Sequence, residues 1–429
     1  MPLFCEFWTA KMRLSDICDA IVDCEHKTAP EGDGYAMSVG TKAIKNGRLE
    51  LRGAKPVSEA TYVAWTRRLR PVSGDLILAR EAPVGDVVRV PDEPLICLGQ
   101  RTVLIRPDAT KVHPRFLHYW LLGPDAQGVM RAQTGGATVG HLNVEDIRNL
   151  DLAPMPNSVG HQAASGELLG SIDDLIENNR RRVGVLEEMA RAIYREWFVK
   201  FRYPGHEAVP LVDSALGPIP EGWELSTAGA ELSFIGGGTP SKSEPSYWDG
   251  GSVSWYTPTD LTKTGWRYAA PSERSITERG LAKSSARLFS AGSVMMTSRA
   301  TLGVLAIATT EATTNQGFIV ILPDERWSPG FIYEWLDSQA TELAALGTGA
   351  TFKEITKGAF KRFPFVVPPQ LLLDKYRVAT QPLERQVHAL EQLTRNLASL
   401  RDRLLPKLVT GQVDVSSLDL DALVAKRGA

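Results

Sequence analysis

TGGATVGHLNVEDIRNLDLAPMP, residues 134–156, aligns without a gap on GTGATFKEITKGAFKRFPFVVPP, residues 347–369. Each stretch carries Gly-Ala-Thr near its start (136–138 and 349–351) and leads into a long segment with apolar residues at helical spacing. Upstream, Phe116-Leu-His-Tyr-Trp120 answers Phe331-Ile-Tyr-Glu-Trp335, and QRTVLIRPD (100–108) answers QGFIVILPD (316–324). Further back Gly85 answers Gly303, and residues 74–80 answer 292–299 with a one-residue slip that sets Arg80 against Arg299. Patches in the same order mark an internal duplication, which is sought before any local reading because it decides the architecture.

Each copy reads as an α+β module. Residues 75–79, 102–106, 304–308 and 318–322 are Val-, Ile- and Leu-rich runs bounded by Gly or Pro, as strands are. Segments 114–122 and 329–336 have aromatic and Leu spacing suited to short helices, each with Pro at its first position. After each module comes a longer helix. Leu168, Ile172, Leu175, Asn179, Val183, Leu186, Met189, Ile193 and Trp197 recur three and four apart, as do Leu383, Val387, Leu390, Leu393, Leu397, Leu400, Leu404 and Leu408. Such stripes predict a coiled-coil seam in which the two helices pack antiparallel. Asn179 falls on the seam, either as a partly exposed polar residue, the plainer reading, or as a buried register-fixing one. Pro406 is expected to bend or finish the second helix. At about 1.5 Å per residue, a thirty-residue helix is roughly 45 Å long.

The expected organisation is a module over 12–157, a spacer helix over 158–200 and a linker over 201–222. A second module over 223–369, a second helix over 370–411 and a tail over 412–429 complete it. Four prolines and three glycines between 201 and 224 mark the linker as irregular.

Apolar residues make up 43% and charged residues 23%, a globular composition. No apolar run reaches the length of a membrane span and the N-terminus lacks a signal layout, so a cytoplasmic protein with no membrane partner is expected. Cys5, Cys18, Cys24 and Cys97 form no C-x-x-C pair and are expected to be buried free thiols, with no metal site. The net charge of −2 means that any DNA-directed positive potential must be local. The run Arg180-Arg-Arg182 lies in a stretch (172–200) with six basic and six acidic residues, a balanced helix face.

Catalytic readings fail on their details. An adenine methyltransferase needs a polar residue before Pro-Pro-aromatic; Pro368-Pro369 follows two valines. Metal-dependent nucleases need an acidic-x-Lys triplet behind Pro-Asp; Pro107-Asp108 and Pro323-Asp324 lack it. Gly236-Gly-Gly-Thr-Pro-Ser-Lys242-Ser243 approximates a phosphate loop, but Ser241 stands where Gly is required and no helix pattern follows. The residues alone thus read as two modules on a spacer. A protein-interaction scaffold that binds no DNA is one function open to that plan.

The layout resembles the specificity subunits of type I restriction–modification systems. The match rests on Leu216-Gly-Pro-Ile-Pro-Glu-Gly-Trp223-Glu, Gly238-Thr239-Pro240, the strand ending in Arg299 with Gly303, Thr314-Asn315-Gln316, and the closing Leu404-Leu-Pro-Lys-Leu-Val-Thr-Gly411-Gln. The first copy opens at Leu14-Ser-Asp, with Asp23-Cys-Glu-His-Lys-Thr-Ala-Pro30 in place of the Gly-Thr-Pro loop. It departs from the pattern in ending its helix with Ala192-Ile-Tyr-Arg-Glu-Trp-Phe198. The resemblance implies two target-recognition domains, each reading half of a bipartite, asymmetric site in double-stranded DNA. It also implies helices that set the gap and dock two methyltransferase subunits, with restriction and motor subunits joining them. No catalytic residue and no cofactor would belong to this chain. Base readers need bidentate side chains on rigid strand ends, with lysines near phosphates. The candidates are His26, Lys27, Arg80, Gln100, Arg101, Thr138 and His141 in the first copy. In the second they are Thr239, Lys242, Arg299, Asn315, Gln316, Thr351 and Lys353. The competing reading of each is structural, with Gln100 and Gln316 satisfying backbone groups and Gly-Ala-Thr forming a tight turn.

Overall fold

The computed structural model describes residues 12–81, 83–134, 140–152, 155–348 and 353–415. The chain divides into two compact units: Met1–Ile176 together with Asn396–Ala429, and Glu177–Arg395. The division falls inside both long helices.

In the first unit β1 (Cys18–Asp23), β2 (Ala36–Val39), β3 (Lys55–Val57), β4 (Leu76–Ala79), β5 (Val87–Arg89), β6 (Ile96–Leu98) and β7 (Thr102–Pro107) build two sheets. The larger, antiparallel sheet has the order β1-β7-β4-β5; the smaller has the order β3-β2-β6, with β2 and β6 parallel. In the second unit β8 (Phe234–Gly236), β9 (Val253–Tyr256), β10 (Arg274–Ile276), β11 (Val294–Thr297), β12 (Leu305–Ile307), β13 (Ala312–Thr314) and β14 (Phe318–Ile321) repeat the plan. The orders are β8-β14-β11-β12 and β10-β9-β13, again with the β9–β13 pair parallel. The smaller sheets had no sequence expectation. Their strands are three or four residues long, and their parallel partners lie far away in sequence. Helix α1 (Pro114–Leu122) in the first unit and α3 (Pro329–Ser338) in the second start at the expected prolines. In α3 the Ser328 hydroxyl caps the helix by accepting from the Phe331 amide at 3.2 Å.

The strands bury because they are apolar on both faces. Residues of β4 and β11 are fully enclosed. The turns entering them need left-handed backbone, supplied by Gly74 (φ 90°) and Gly292 (φ 84°).

The long helices are α2 (Val159–Tyr194), prolonged by a wide turn at Arg195–Val199, and α4 (Gln370–Val409). Pro406 does not end α4, which runs on to Val409. Within the first unit the two run antiparallel. The His161 ring Nε2 meets the Leu408 carbonyl at 2.8 Å, and Arg401 Nη1 donates to Asp173 Oδ1 at 2.7 Å. Leu408 and Val409 join Leu14, Phe116 and Leu169 in that unit's core. In the second unit Tyr194 and Tyr376 pack edge-on with centroids 6.2 Å apart, inside an aromatic cluster with Phe198 and Phe331.

The seam differs in phase from the expected stripe. Ile172 and Asn179 are buried, but Leu175, Met189, Leu393 and Leu400 stand at least 40% exposed. Ile176, Ala190 and Tyr194 line the buried face of α2 instead, and Tyr376, Thr380, Glu391 and Thr394 take places on α4. On α2 the displacement is one residue: Ile176, Ala190 and Tyr194 are buried where Leu175, Met189 and Ile193 were expected, so the period is kept and the phase is shifted. Asn179 is 5% exposed, which overturns the partly exposed reading. Among the described residues, no helix is long and apolar enough to cross a membrane.

Candidate nucleic-acid interface

The strand registers define which positions of the two units are equivalent. In the first unit β1 places Asp23 opposite Val103; in the second β8 places Gly236 opposite Ile319. Counting onward makes His26 equivalent to Thr239. The amide of Arg80 donates to the Arg101 carbonyl, as that of Ser298 does to Gly317; those of Leu142 and Ile355 donate to the Arg80 and Ser298 carbonyls in turn. Gln100 is therefore equivalent to Gln316, as the sequence suggested. Arg80, however, is equivalent to Ser298, and Arg299 to Glu81, so the slipped alignment of the two arginines is corrected.

At equivalent places, each unit thus brings a glutamine against the loop that leaves its first strand. Gln100 Nε2 donates to the His26 carbonyl at 3.2 Å. In the second unit the Thr239 hydroxyl donates to Gln316 Oε1 at 2.6 Å. Both glutamines are exposed. A primary amide on a rigid strand end can present a donor and an acceptor side by side, the pattern that reads adenine in the major groove.

Around each glutamine lie charges that mirror one another with sign reversed. Glu81 Oε1 contacts His141 Nδ1 at 2.6 Å, and Glu81 Oε2 contacts Arg101 Nε at 2.9 Å. At the equivalent bridge of the second unit, Arg299 Nη2 meets Glu354 Oε1 at 2.9 Å. These pairs are exposed enough that opening them costs little, about 0–1 kcal/mol. The Arg101 and Arg299 guanidiniums can therefore exchange a carboxylate for a phosphate or a guanine edge. His26 and Arg101 hold positive φ (53° and 66°), a backbone state uncommon outside glycine and concentrated at functional sites.

Arg80 is different. It is 6% exposed, and its Nη1 lies 2.9 Å from both carboxylate oxygens of Asp23, with His141 Nε2 3.4 Å from Nη2. As placed, this arginine braces the end of β4 against the end of β1 and does not face solvent. Lys27, Lys242 and Lys353 are exposed. Asn315 spends its Oδ1 on the Gly317 amide at 2.8 Å, shaping the turn before Gln316's strand. Thr138 and Thr351, with both Gly-Ala-Thr repeats, lie outside the described residues in whole or part. Sequence reading missed Asp23, Glu81 and Glu354, the carboxylates that hold the candidate cations.

The Gly236-Gly-Gly-Thr-Pro stretch is a close-packing device. A Cβ on Gly237 would lie 2.1 Å from the Asn315 carbonyl oxygen, and one on Gly238 would lie 2.4 Å from Ser285 backbone. Asp108 and Asp324 likewise serve turns: Asp108 accepts from the Thr110 amide at 2.9 Å, and Asp324 from the Trp327 amide at 2.7 Å. Among the described residues Asp23, Cys24 and His26 bring possible metal ligands within 4.8 Å of one another. The Asp23 carboxylate already holds the Arg80 guanidinium and His26 Nε2 at 2.9 Å, which occupies the space a cation needs. Cys24 and Cys97 are buried and unpaired, and burial pushes the Cys97 thiol up to about 11.

Residues 220–375 match the family model described as the type I restriction modification DNA specificity domain. The specificity subunit of the type I restriction enzyme MjaIX of Methanocaldococcus jannaschii is 32% identical over 174 residues, 40% of this chain and 39% of that protein. The match therefore spans about two fifths of that relative's length. The HindI specificity subunit of Haemophilus influenzae is 21% identical over 376 residues, 74% of this chain and 81% of that one. The crystal structure of a type I restriction-modification S subunit from M. genitalium aligns with a TM-score of 0.59 at 14% identity. It covers 95% of this chain and 98% of its own, a likeness of fold. Residues 220–375 thus match the DNA specificity domain of type I restriction–modification systems, and the chain as a whole, with its duplicated sheets and paired long helices, is similar to their specificity subunits.

Proposed function

We propose that the chain is the DNA-recognition subunit of a type I restriction–modification complex, working in the cytoplasm and without a catalytic centre or cofactor of its own. Each unit reads one half of a bipartite, asymmetric site in double-stranded DNA. The observation that carries this reading is the duplicated exposed glutamine, Gln100 on the His26 loop and Gln316 on the Thr239 loop, each beside an exposed arginine. A scaffold for proteins alone has no need of two equivalent amides flanked by exposed cations.

The candidate contact set is His26, Lys27, Gln100, Arg101, Thr138 and His141 in one unit, and Thr239, Lys242, Arg299, Asn315, Gln316, Thr351 and Lys353 in the other. Arg80 acts by holding Asp23 and positioning that loop. Recognition domains over 12–157 and 223–369 would be separated in sequence by the linker 201–222. The helices over 158–200 and 370–411 would set the gap between half-sites and dock two methyltransferase subunits, to which restriction and motor subunits add. Residues 412–429 form the tail.

Mapping methylated adenines across the host genome, with and without this gene, tests the reading. Loss of methylation at one split motif, two short blocks around a fixed gap, is expected. Methylation unchanged in a host shown to express the complex would overturn it.

A further inference from the structure

The first unit holds a polar cleft of about 430 Å³ beside Gln100. Lys42, Lys55 and Arg101 line it, together with the hydroxyls of Thr28, Ser38 and Thr41. No carboxylate and no aromatic ring is among its lining residues. A basic, ring-free wall suits an anion and offers no face on which a base could stack.

The cleft exists because small residues meet there. β2 and β9 are equivalent, which sets Ser38 against Trp255, Gly40 against Thr257 and Gly99 against Asn315. In the second unit the Trp255 indole is 3% exposed and donates to the Gly238 carbonyl at 2.9 Å. In the first unit the strands approach so closely that a Cβ on Gly99 would lie 2.6 Å from the Gly40 nitrogen, and one on Gly53 would lie 2.5 Å from the Lys42 carbonyl oxygen. Side chains are thereby kept out of the floor. Lys55 is fixed at the rim by donating to the Ala29 carbonyl at 3.1 Å, which leaves its other N–H groups for a ligand.

We propose that this cleft seats a backbone phosphate of the DNA held by the first unit, through Lys42 and Lys55, and so fixes the depth at which Gln100 meets the base edges. The inference rests on the DNA-reading function above. It makes the two units unequal, since the second carries a buried indole at the matching position and has Thr259 in place of Lys42.

The test uses the full chain and a double variant, Lys42→Gln with Lys55→Gln, which keeps a donor for the Ala29 carbonyl. Binding to mixed-sequence duplex DNA is measured across a salt series, with thermal unfolding as the control for folding. Removing the two lysine charges should weaken binding to every sequence alike and reduce the slope of log K against log salt by about 0.9 for each phosphate no longer neutralised. Ethylation of single phosphates should reveal one position that impairs the wild type and leaves the variant indifferent. A variant with the wild-type slope would overturn the phosphate seat while leaving DNA reading intact. A wild-type chain with no salt-dependent duplex binding would overturn the reading itself. Saturable binding of inorganic phosphate at constant ionic strength, abolished in the variant without any change in DNA slope, would assign the cleft to a free anion and overturn the proposal.

Discussion

Arg267 Nη1 and Glu334 Oε1 form an ion pair 2.5 Å long in the interior of the second unit, with side chains 2% and 1% exposed. The guanidinium also lies 4.2 Å from the centroid of the Tyr333 ring. Burial opposes charge on both partners, and the facing carboxylate and ring keep Arg267 charged. Removing one member strands the other. Glu334→Ala should cost about 3–5 kcal/mol of unfolding free energy, and replacing both residues with apolar side chains of similar volume should recover most of it. Denaturant titration of the single and double variants measures this; a single variant as stable as wild type contradicts it.

Glu391 on α4 gives the same unit a pH dependence. Its carboxylate accepts from the amides of Arg267 (2.9 Å) and Tyr268 (3.0 Å). Burial nevertheless pushes its pKa up from 4.5 to about 7, with Glu187 adding to the rise and Arg395 opposing it. Between those values the folded state binds a proton that the unfolded state has released. The Glu391 contribution to stability is therefore retained below about 4.5 and lost as pH rises to about 7, a change on the order of 3 kcal/mol. Against Glu391→Gln, the wild type should lose stability over that window and run parallel outside it. A constant difference across the window would refute the assignment.

Gln100→Ala and Gln316→Ala should each relax recognition at one half-site and leave the other intact. Loss of a bidentate contact to a base costs about 1–3 kcal/mol of discrimination. Selection from randomised duplexes by the assembled complex reads out both halves at once. Equal loss at both halves in either variant would mean that the glutamine is structural.

The corrected register separates two arginines that the sequence had paired. Arg299→Ala should weaken DNA binding and spare unfolding free energy, because its ion pair with Glu354 is exposed. Arg80→Ala should lower stability, because it leaves Asp23 without its 2.9 Å guanidinium partner at the end of β1. Comparing melting midpoints with affinities at one salt concentration decides it, and the reverse pattern would restore the slipped alignment.

Much of this architecture was legible in the sequence because duplication, strand runs such as 318–322 and helical periodicity are local signals. The phase of the seam was not. Leu175 and Leu393 carry the right hydrophobicity but face outward, since their neighbours Ile176 and Thr394 take the buried positions and residue type alone does not fix which of two adjacent residues faces in. The site was half legible: Gln100 and Gln316 stand out as repeated residues before repeated strands. The Asp23–Arg80 pair joins residues 57 apart, and Glu81 and Arg299 occupy one structural position with opposite charge. Neither relation leaves a mark in a pattern of residue types. The smaller sheets escaped for a related reason, since Ala36–Val39 finds its parallel partner only at Ile96–Leu98.

The first unit is assembled from both sides of the second in sequence, and its core includes Leu404, Leu405, Leu408 and Val409 from the last turns of α4. On the ribosome the order of completion is therefore inverted. The part synthesised first waits for the part synthesised nearly last, while Glu177–Arg395 has all of its own residues earlier. A nascent chain stalled before residue 396 would carry one finished unit and one with an open apolar flank, a state that a chaperone or a second chain must cover. Full translation closes that flank with residues of the same molecule.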